Sequence, residues 1–245
     1  MEIKNKTIFI TGGGSGIGLA TAEKFISRGA NAVIFTKTIS PSAKLPTEKS
    51  LIIKGDVTSR SQVKKAMTKG ADKFGSLDIL INNAGVAKRE NFMDTKEKDW
   101  DFVINVNMKG VFICIQEFIK TLMNTDKKRI NANNSAPHDP HKSAMIINIA
   151  SGAGIYGVEE IAVYSATKAA VINITQSLNE ELKSLKIKWA AVCPGATNTK
   201  MFNNLFPGQK AYYTPEQIAD VIYKTASEEI KPDDRMIVDV FKHIK

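Results

Sequence analysis

The chain has 245 residues, 43% hydrophobic and 24% charged, a balance that suits one globular α/β domain with a sizeable core. The formal net charge is +9, but the basic residues, mostly lysine, are scattered with no arginine-rich stripe between aromatics, which argues against a nucleic-acid partner. Cys114 and Cys193 lie in apolar runs and read as reduced core residues. With no signal region at the start and no run of membrane-spanning length expected, cytoplasm is the expected compartment.

Thr7 to Ile10 is a short apolar run that leads into T-G-G-G-S-G-I-G at 11–18, followed by a helical pattern with Leu19, Ala22, Phe25 and Ile26 on one side. Strand, glycine turn and helix is the arrangement that binds dinucleotides. Glycines let the backbone approach a pyrophosphate, and a helix N-terminus offers N–H groups and a positive dipole end. A glycine-rich turn with no ligand is the alternative. Ala30 to Phe35 reads as the second strand. An acid at its end would accept from ribose hydroxyls, but the chain has Thr36 and Lys37 there. Lys37 either pairs with a 2′-phosphate, which favours NADP, or is a surface lysine.

The segment from Ser40 to Lys49 holds Pro41 and Pro46 and is too short and broken for a crossover helix. Leu51 to Ile53 reads as a strand ending at Gly55-Asp56-Val57. Asp56 could accept from an adenine amino group or cap the helix expected from Ser61 to Phe74. Leu77 to Ile81 is the next strand, ending in Asn82-Asn83-Ala84-Gly85, small residues that suit close approach to a cofactor. A long apolar helix is expected from Trp100 to Met123, either deeply buried or part of a subunit interface. Asn105-Val106-Asn107 interrupts it, at a cost unless the amides are satisfied.

Residues 124–143 are polar and read as an exposed excursion. His138-Asp139-Pro140-His141 within it is set aside as a metal site, since two prolines and the lack of further ligands argue against one. Ala144 to Ala150 is a buried strand ending at Ser151. A helix runs from Tyr164 to Leu182. Trp189 to Cys193 is a strand ending in Pro194-Gly195-Ala196-Thr197-Asn198-Thr199. Lys200 to Tyr213 carries Met201, Phe202, Leu205, Phe206, Tyr212 and Tyr213, either a lid over an apolar ligand or a segment packed on the core. A helix over Pro215 to Ser227 and a strand over Arg235 to Val240 close the chain. Alternating strands and helices give a Rossmann-like, doubly wound parallel sheet in a single domain over 1–245. Functional groups are then expected beyond the strands' C-terminal ends.

Tyr164 and Lys168 stand four residues apart at the head of a helix, so both side chains point to one face. A cation held beside a phenol favours the phenolate, and the pair is expected to act as an acid/base device with a lowered tyrosine pKa.

These motifs together resemble the short-chain dehydrogenase/reductase family, in its compact single-domain branch. The resemblance covers about residues 3–240. It rests on T-G-G-G-S-G-I-G at 11–18, D-V at 56–57, N-N-A-G at 82–85, N-V-N at 105–107, Ser151, Y-S-A-T-K at 164–168, and P-G at 194–195 with Thr197 and Thr199. Ser151 precedes Tyr164 by thirteen residues, the spacing of that family.

The resemblance implies a catalytic set of Asn107, Ser151, Tyr164 and Lys168. Tyr164 exchanges a proton with the substrate oxygen, Lys168 lowers its pKa and binds the nicotinamide ribose, and Ser151 bonds the substrate carbonyl. Asn107 holds a water that links Lys168 to solvent. Gly12, Gly14, Ser15, Gly16, Ile17 and Gly18 wrap the pyrophosphate. Thr36 and Lys37 meet the adenosine ribose, and Asp56 with Val57 meets the adenine. Asn83, Ala84 and Gly85 flank the adenosine ribose, and Pro194, Gly195, Thr197 and Thr199 face the nicotinamide. Tyr156 joins Ser151 and Tyr164 at the substrate. The implied cofactor is NADP(H), with NAD(H) possible; Ser15 stands where NADP-binding relatives often carry a basic residue.

The chain departs from the family pattern in its short 38–50 connection, which suggests a more open adenine side, and in its longer excursion and shorter lid. It also lacks the usual glycine-rich ending, having Asp239-Val240-Phe241 instead. The expected activity is NAD(P)-dependent interconversion of a small-molecule carbonyl compound and an alcohol by a homo-oligomer, dimer or tetramer. The rival reading is a non-catalytic dinucleotide-binding sensor or scaffold of the same fold.

Overall fold

The computed structural model describes residues 1–41, 43–132 and 144–244. Its strands are β1 (Thr7–Thr11), β2 (Asn31–Thr36), β3 (Ser50–Lys54), β4 (Ile79–Asn82), β5 (Met145–Ile149), β6 (Lys188–Cys193) and β7 (Ile237–Asp239). They form one sheet in the order β3-β2-β1-β4-β5-β6-β7, with every neighbouring pair parallel. The order reverses between β1 and β4, and that switch point opens a crevice at the strands' C-terminal ends.

Successive strand residues face opposite sides of a sheet, so alternate side chains build two cores. Ile8, Ile10, Ile34, Ile79 and Ile81 pack with Phe25 of α1 (Gly16–Ser27) and with Ile218 and Ile222 of α7 (Pro215–Ala226). Phe9, Val33, Phe35 and Leu80 face the other way. They meet Met67 of α2 (Arg60–Phe74), Phe118 of α4 (Gly110–Ala132) and Val171 of α5 (Ala162–Glu181). The start of α7 is fixed by a capping box: Thr214 accepts from the Gln217 N–H, and Gln217 reaches back to the Thr214 N–H.

The long apolar helix expected from Trp100 is two helices, α3 (Glu97–Ile104) and α4, joined through a π-helical turn at Asn105–Lys109. Such turns insert one extra residue and often mark functional positions. The helix also runs further than expected. Residues 124–132 continue α4, where a polar loop was predicted, while 133–143 and the His138-Asp139-Pro140-His141 group lie outside the described residues. The stretch Glu97–Thr125 is long and apolar enough, by length and composition, to cross a membrane, contrary to expectation. Over half of its apolar window is buried, which fits a core helix.

Residues 37–49 form no helix among the described residues, as the prolines predicted. The short connection does not leave the adenine side open at the glycine turn, however. The Ser40 N–H donates to Gly14 O at 2.7 Å, and a Cβ on Gly14 would sit 1.9 Å from Thr38 O. With no crossover helix to satisfy them, these backbone groups bond to the turn instead.

A buried polar ladder ties the sheet to α5. Asn82 Nδ2 donates to Asn148 Oδ1 at 2.8 Å, and Asn148 Nδ2 donates to Thr175 Oγ1 at 2.9 Å. All three residues are buried, so removing the middle one orphans the Asn82 amide. Asn148→Ala is expected to cost about 2–4 kcal/mol and lower Tm correspondingly in a thermal melt. A melt unchanged from wild type would show that the ladder adds nothing to stability.

Candidate active site

Beyond the C-terminal end of β5, the extended backbone of Ser151 presents its hydroxyl, which accepts from the Ala153 N–H at 3.1 Å. The Gly152 N–H donates to Pro194 O at 2.8 Å, fastening this turn to the one that follows β6. From α5, Tyr164 and Lys168 reach the same place, as their four-residue spacing predicts. Lys168 is buried, with Nζ 5.6 Å from the Tyr164 ring centroid, and donates to Ile149 O at 2.7 Å.

The electrostatics differ from the expectation. Burial is the larger influence on Tyr164 and pushes its phenol up, while a hydrogen bond with Ser151 pulls the other way. Burial also pushes the Lys168 ammonium down to about 8. The lowered tyrosine pKa expected from the sequence is therefore replaced by a raised one. Loss of water around the phenol outweighs the hydrogen bond with Ser151.

Asn107, in the π-helical turn, has its amide filled by protein groups. Its Oδ1 accepts from the Val86 N–H at 2.9 Å, and its Nδ2 donates to Val86 O at 2.9 Å and to Thr167 Oγ1 at 3.0 Å. These bonds explain a polar residue at a buried position, and they pin the turn after β4 to α5. Gly85 lies between them: a Cβ there would be 3.5 Å from Asn107 Oδ1 and 3.6 Å from Lys168 Nζ. Thr167, not singled out from the sequence, also donates to Tyr164 O at 2.7 Å. Its place inside Y-S-A-T-K was the only available signal.

The glycine turn follows β1 at the switch point. Gly12 and Gly16 have φ of +65° and +52°, a region open to glycine at little cost. Ser15 is the N-cap of α1 but makes no side-chain cap bond, so its side chain leaves the first-turn N–H groups uncapped, as a helix start that receives an anion would. A Cβ on Gly16 would come 3.2 Å from Thr199 Cγ2, which places Thr199 close against the turn. An uncapped helix N-terminus, two left-handed glycines and a buried ammonium beyond them fit a dinucleotide lying from the glycine turn towards Lys168.

Other residues expected at the cofactor have bonds within the protein. Gly18 is close-packed, since a Cβ would lie 2.4 Å from Asn83 Nδ2. Asn83 Nδ2 donates to Thr11 O and Gly12 O, and the Asn83 and Ala84 N–H groups both donate to Thr11 Oγ1. Thr11, which the motif reading left without a role, is thus the peg between the glycine turn and the β4 turn. Thr36 is buried and donates to Thr38 O, and Thr197 is buried and donates to Gly195 O. Val57 is buried against Gly110, whose Cβ would lie 2.8 Å from Val57 Cγ2. Pro194 is buried too.

At the adenine end, Lys37 and Asp56 meet each other: Lys37 Nζ lies 2.8 Å from Asp56 Oδ2. The parallel register sets Thr36 beside Lys54, so the residues just beyond the two strand ends become neighbours. Desolvation raises the Asp56 pKa, but Lys37 and the Thr58 hydrogen bonds outweigh it and hold the carboxyl below its ordinary value. Asp56 does not cap α2, whose N-cap is Ser59.

The expected lid contains a short helix, α6 (Lys200–Leu205), capped by Thr199 Oγ1, which accepts from the Phe202 N–H. The segment divides between both readings. Tyr213 packs in the core beneath Gly195, whereas Tyr212 is 75% exposed. Tyr156 is 67% exposed, on the turn after Ser151.

A family model described as short chain dehydrogenase matches residues 6–210, a span that takes in the glycine turn, Ser151, Tyr164, Lys168 and the Pro194 turn. The chain belongs to the short-chain dehydrogenase family. This oxidoreductase is 32% identical over 248 residues to the 3-oxoacyl-[acyl-carrier-protein] reductase FabG of Thermotoga maritima, covering 94% of this chain and 93% of the relative. Among solved structures, it resembles a 3-ketoacyl-(acyl-carrier-protein) reductase from Brucella melitensis complexed with NADH. That likeness has a TM-score of 0.80 and 27% identity, over 97% of each chain. Levodione reductase matches with a TM-score of 0.79 and 25% identity, over 96% of each chain. These short-chain dehydrogenases share the parallel sheet described above, and the family acts on CH–OH groups.

Proposed function

We propose that the chain, a single domain over 1–245, is an NAD(P)-dependent oxidoreductase that interconverts a small-molecule ketone or aldehyde and its alcohol, with NADP(H) preferred. The observation that carries this reading is the convergence of Ser151, Tyr164 and Lys168, with Lys168 Nζ 5.6 Å from the phenol ring and close to Gly85 in the turn after β4. A bound nicotinamide dinucleotide supplies or accepts the hydride. The Ser151 hydroxyl donates to the substrate oxygen where negative charge develops. Tyr164 delivers the proton to that oxygen. Its phenol is protonated at neutral pH, the form that can give a proton to the oxygen of a carbonyl being reduced. Lys168 holds a positive charge beside the phenol and offers its ammonium to the nicotinamide ribose. Asn107 keeps the β4 turn and α5 in register.

The test is a spectrophotometric screen of ketones and aldehydes with NADPH and NADH. The expected result is carbonyl-dependent oxidation of the reduced cofactor. Cofactor binding with no turnover on any carbonyl compound or alcohol would favour the sensor or scaffold reading instead. Exposed Tyr156, Met201 and Tyr212 favour an apolar substrate.

Lys37, 57% exposed at its side chain, supports the NADP preference as the cation nearest the end of β2. Lys37→Ala is expected to weaken NADPH binding by about tenfold and NADH binding by less than about twofold. Equal weakening of both would remove Lys37 from 2′-phosphate recognition. A homo-oligomer, dimer or tetramer, is supported by exposed Phe112 and Met123 on α4. The two buried free cysteines suit a cytoplasmic enzyme.

A further inference from the structure

We propose that Arg89 is a positioning residue that latches α6 to the start of the helix carrying Tyr164 and Lys168. This rests on the reading of Tyr164 as the proton donor. Arg89 stands in the turn after β4 and makes contacts with two other segments. Its Nε donates to Glu160 Oε2 at 2.7 Å, and its second terminal nitrogen pairs with the same oxygen. Its remaining terminal nitrogen donates to Leu205 O at 3.2 Å, the last residue of α6, and its guanidinium lies 5.1 Å from the Phe206 ring centroid. The backbone joins in, because the Glu90 N–H donates to Glu160 O at 2.8 Å.

Two features make this more than a surface ion pair. Glu160 has φ of +62°, a region unfavourable for a residue with a side chain, and it lies two residues before α5 and four before Tyr164. A strained residue persists where its surroundings hold it, and here the Arg89 fork and the Glu90 N–H hold it. The second feature is how little else fastens α6. Among the described residues, Arg89 makes the one hydrogen bond that reaches α6 from outside residues 195–213. A planar guanidinium with several fixed donors can grip a carboxylate, a carbonyl and a ring face together; lysine cannot. Arg89 thereby sets the distance between α6 and Tyr164, and so the width of the substrate cleft.

Hydrogen exchange on the full-length protein without ligand tests the latch directly. In Arg89→Ala, the Asn203 and Phe206 amides, bonded to Thr199 O and Phe202 O, are expected to exchange about tenfold faster, while amides of β4 and β5 are unchanged. Arg89→Lys should lie between wild type and Arg89→Ala. Glu160→Gln, which keeps the backbone conformation but not the charge, should loosen the start of α5. On the carbonyl substrate found by the screen, Arg89→Ala should raise KM about tenfold with kcat within about twofold, the pattern of lost positioning in binding. Unchanged exchange at Asn203 and Phe206, or faster exchange throughout the sheet, would overturn the latch. An inactive wild-type enzyme would instead overturn the functional reading and leave the exchange result to decide the latch.

Discussion

Tyr164→Phe is expected to lower carbonyl turnover by about a thousandfold, while NADPH binding stays within about twofold of wild type. The substitution removes one hydroxyl and keeps the ring, so the face towards Lys168 retains its shape. On the proposed mechanism, what is lost is the proton donor to the substrate oxygen. The Tyr164 phenol, its pKa raised by burial, is protonated at neutral pH, whereas phenylalanine carries no proton to give. Steady-state kinetics with a ketone substrate, alongside a fluorescence titration with NADPH, reads both quantities. Turnover within tenfold of wild type would remove Tyr164 from the acid role.

Lys168→Met is expected to abolish turnover and, at neutral pH, to raise Tm by a few degrees. Burial holds the ammonium at about 8 against an ordinary 10.5, a penalty of roughly 3 kcal/mol at pH 7. Methionine removes that charge and fills similar space, but it leaves Ile149 O without its donor, which returns about 1–2 kcal/mol of the gain. The sign follows from linkage. The folded-state pKa is below the unfolded one, so this lysine destabilises the fold fully below about pH 8. The penalty fades as pH rises towards 10.5. The Tm difference between variant and wild type should therefore shrink at alkaline pH. In the wild type, kcat/KM for reduction should fall above about pH 8, where the ammonium is lost. A variant that melts well below wild type at pH 7 would mean that Lys168 is chiefly structural.

Much of this molecule was legible in its residues, and the illegible parts share a cause. The strands stand out because β1, β2, β4, β5 and β6 are buried on both faces and read as largely apolar runs. The four-residue step from Tyr164 to Lys168 carried straight into the site. The direction of the tyrosine shift did not, because it depends on how much water the fold removes, and one sequence does not say so. The pairing of Lys37 with Asp56 depends on the register between β2 and β3, which brings together residues nineteen apart. The π-helical turn at Asn105–Lys109 was hidden because an apolar run looks the same with or without an extra residue. Residues 124–132 read as loop from their polarity, although polar residues serve well on a helix once the preceding turns are formed. Arg89 looked like one of many scattered cations; only the approach of three separate segments distinguishes it.

The measurement that bears most directly on the central claim is a fluorescence titration of the purified protein with NADPH and with NADH. Saturable binding of both, tighter for NADPH, is the predicted result. It would support the cofactor role given to the glycine turn and would set the cofactor for the carbonyl screen. Tighter NADH binding would contradict the role given to Lys37. Binding of neither cofactor would contradict the enzyme itself as described.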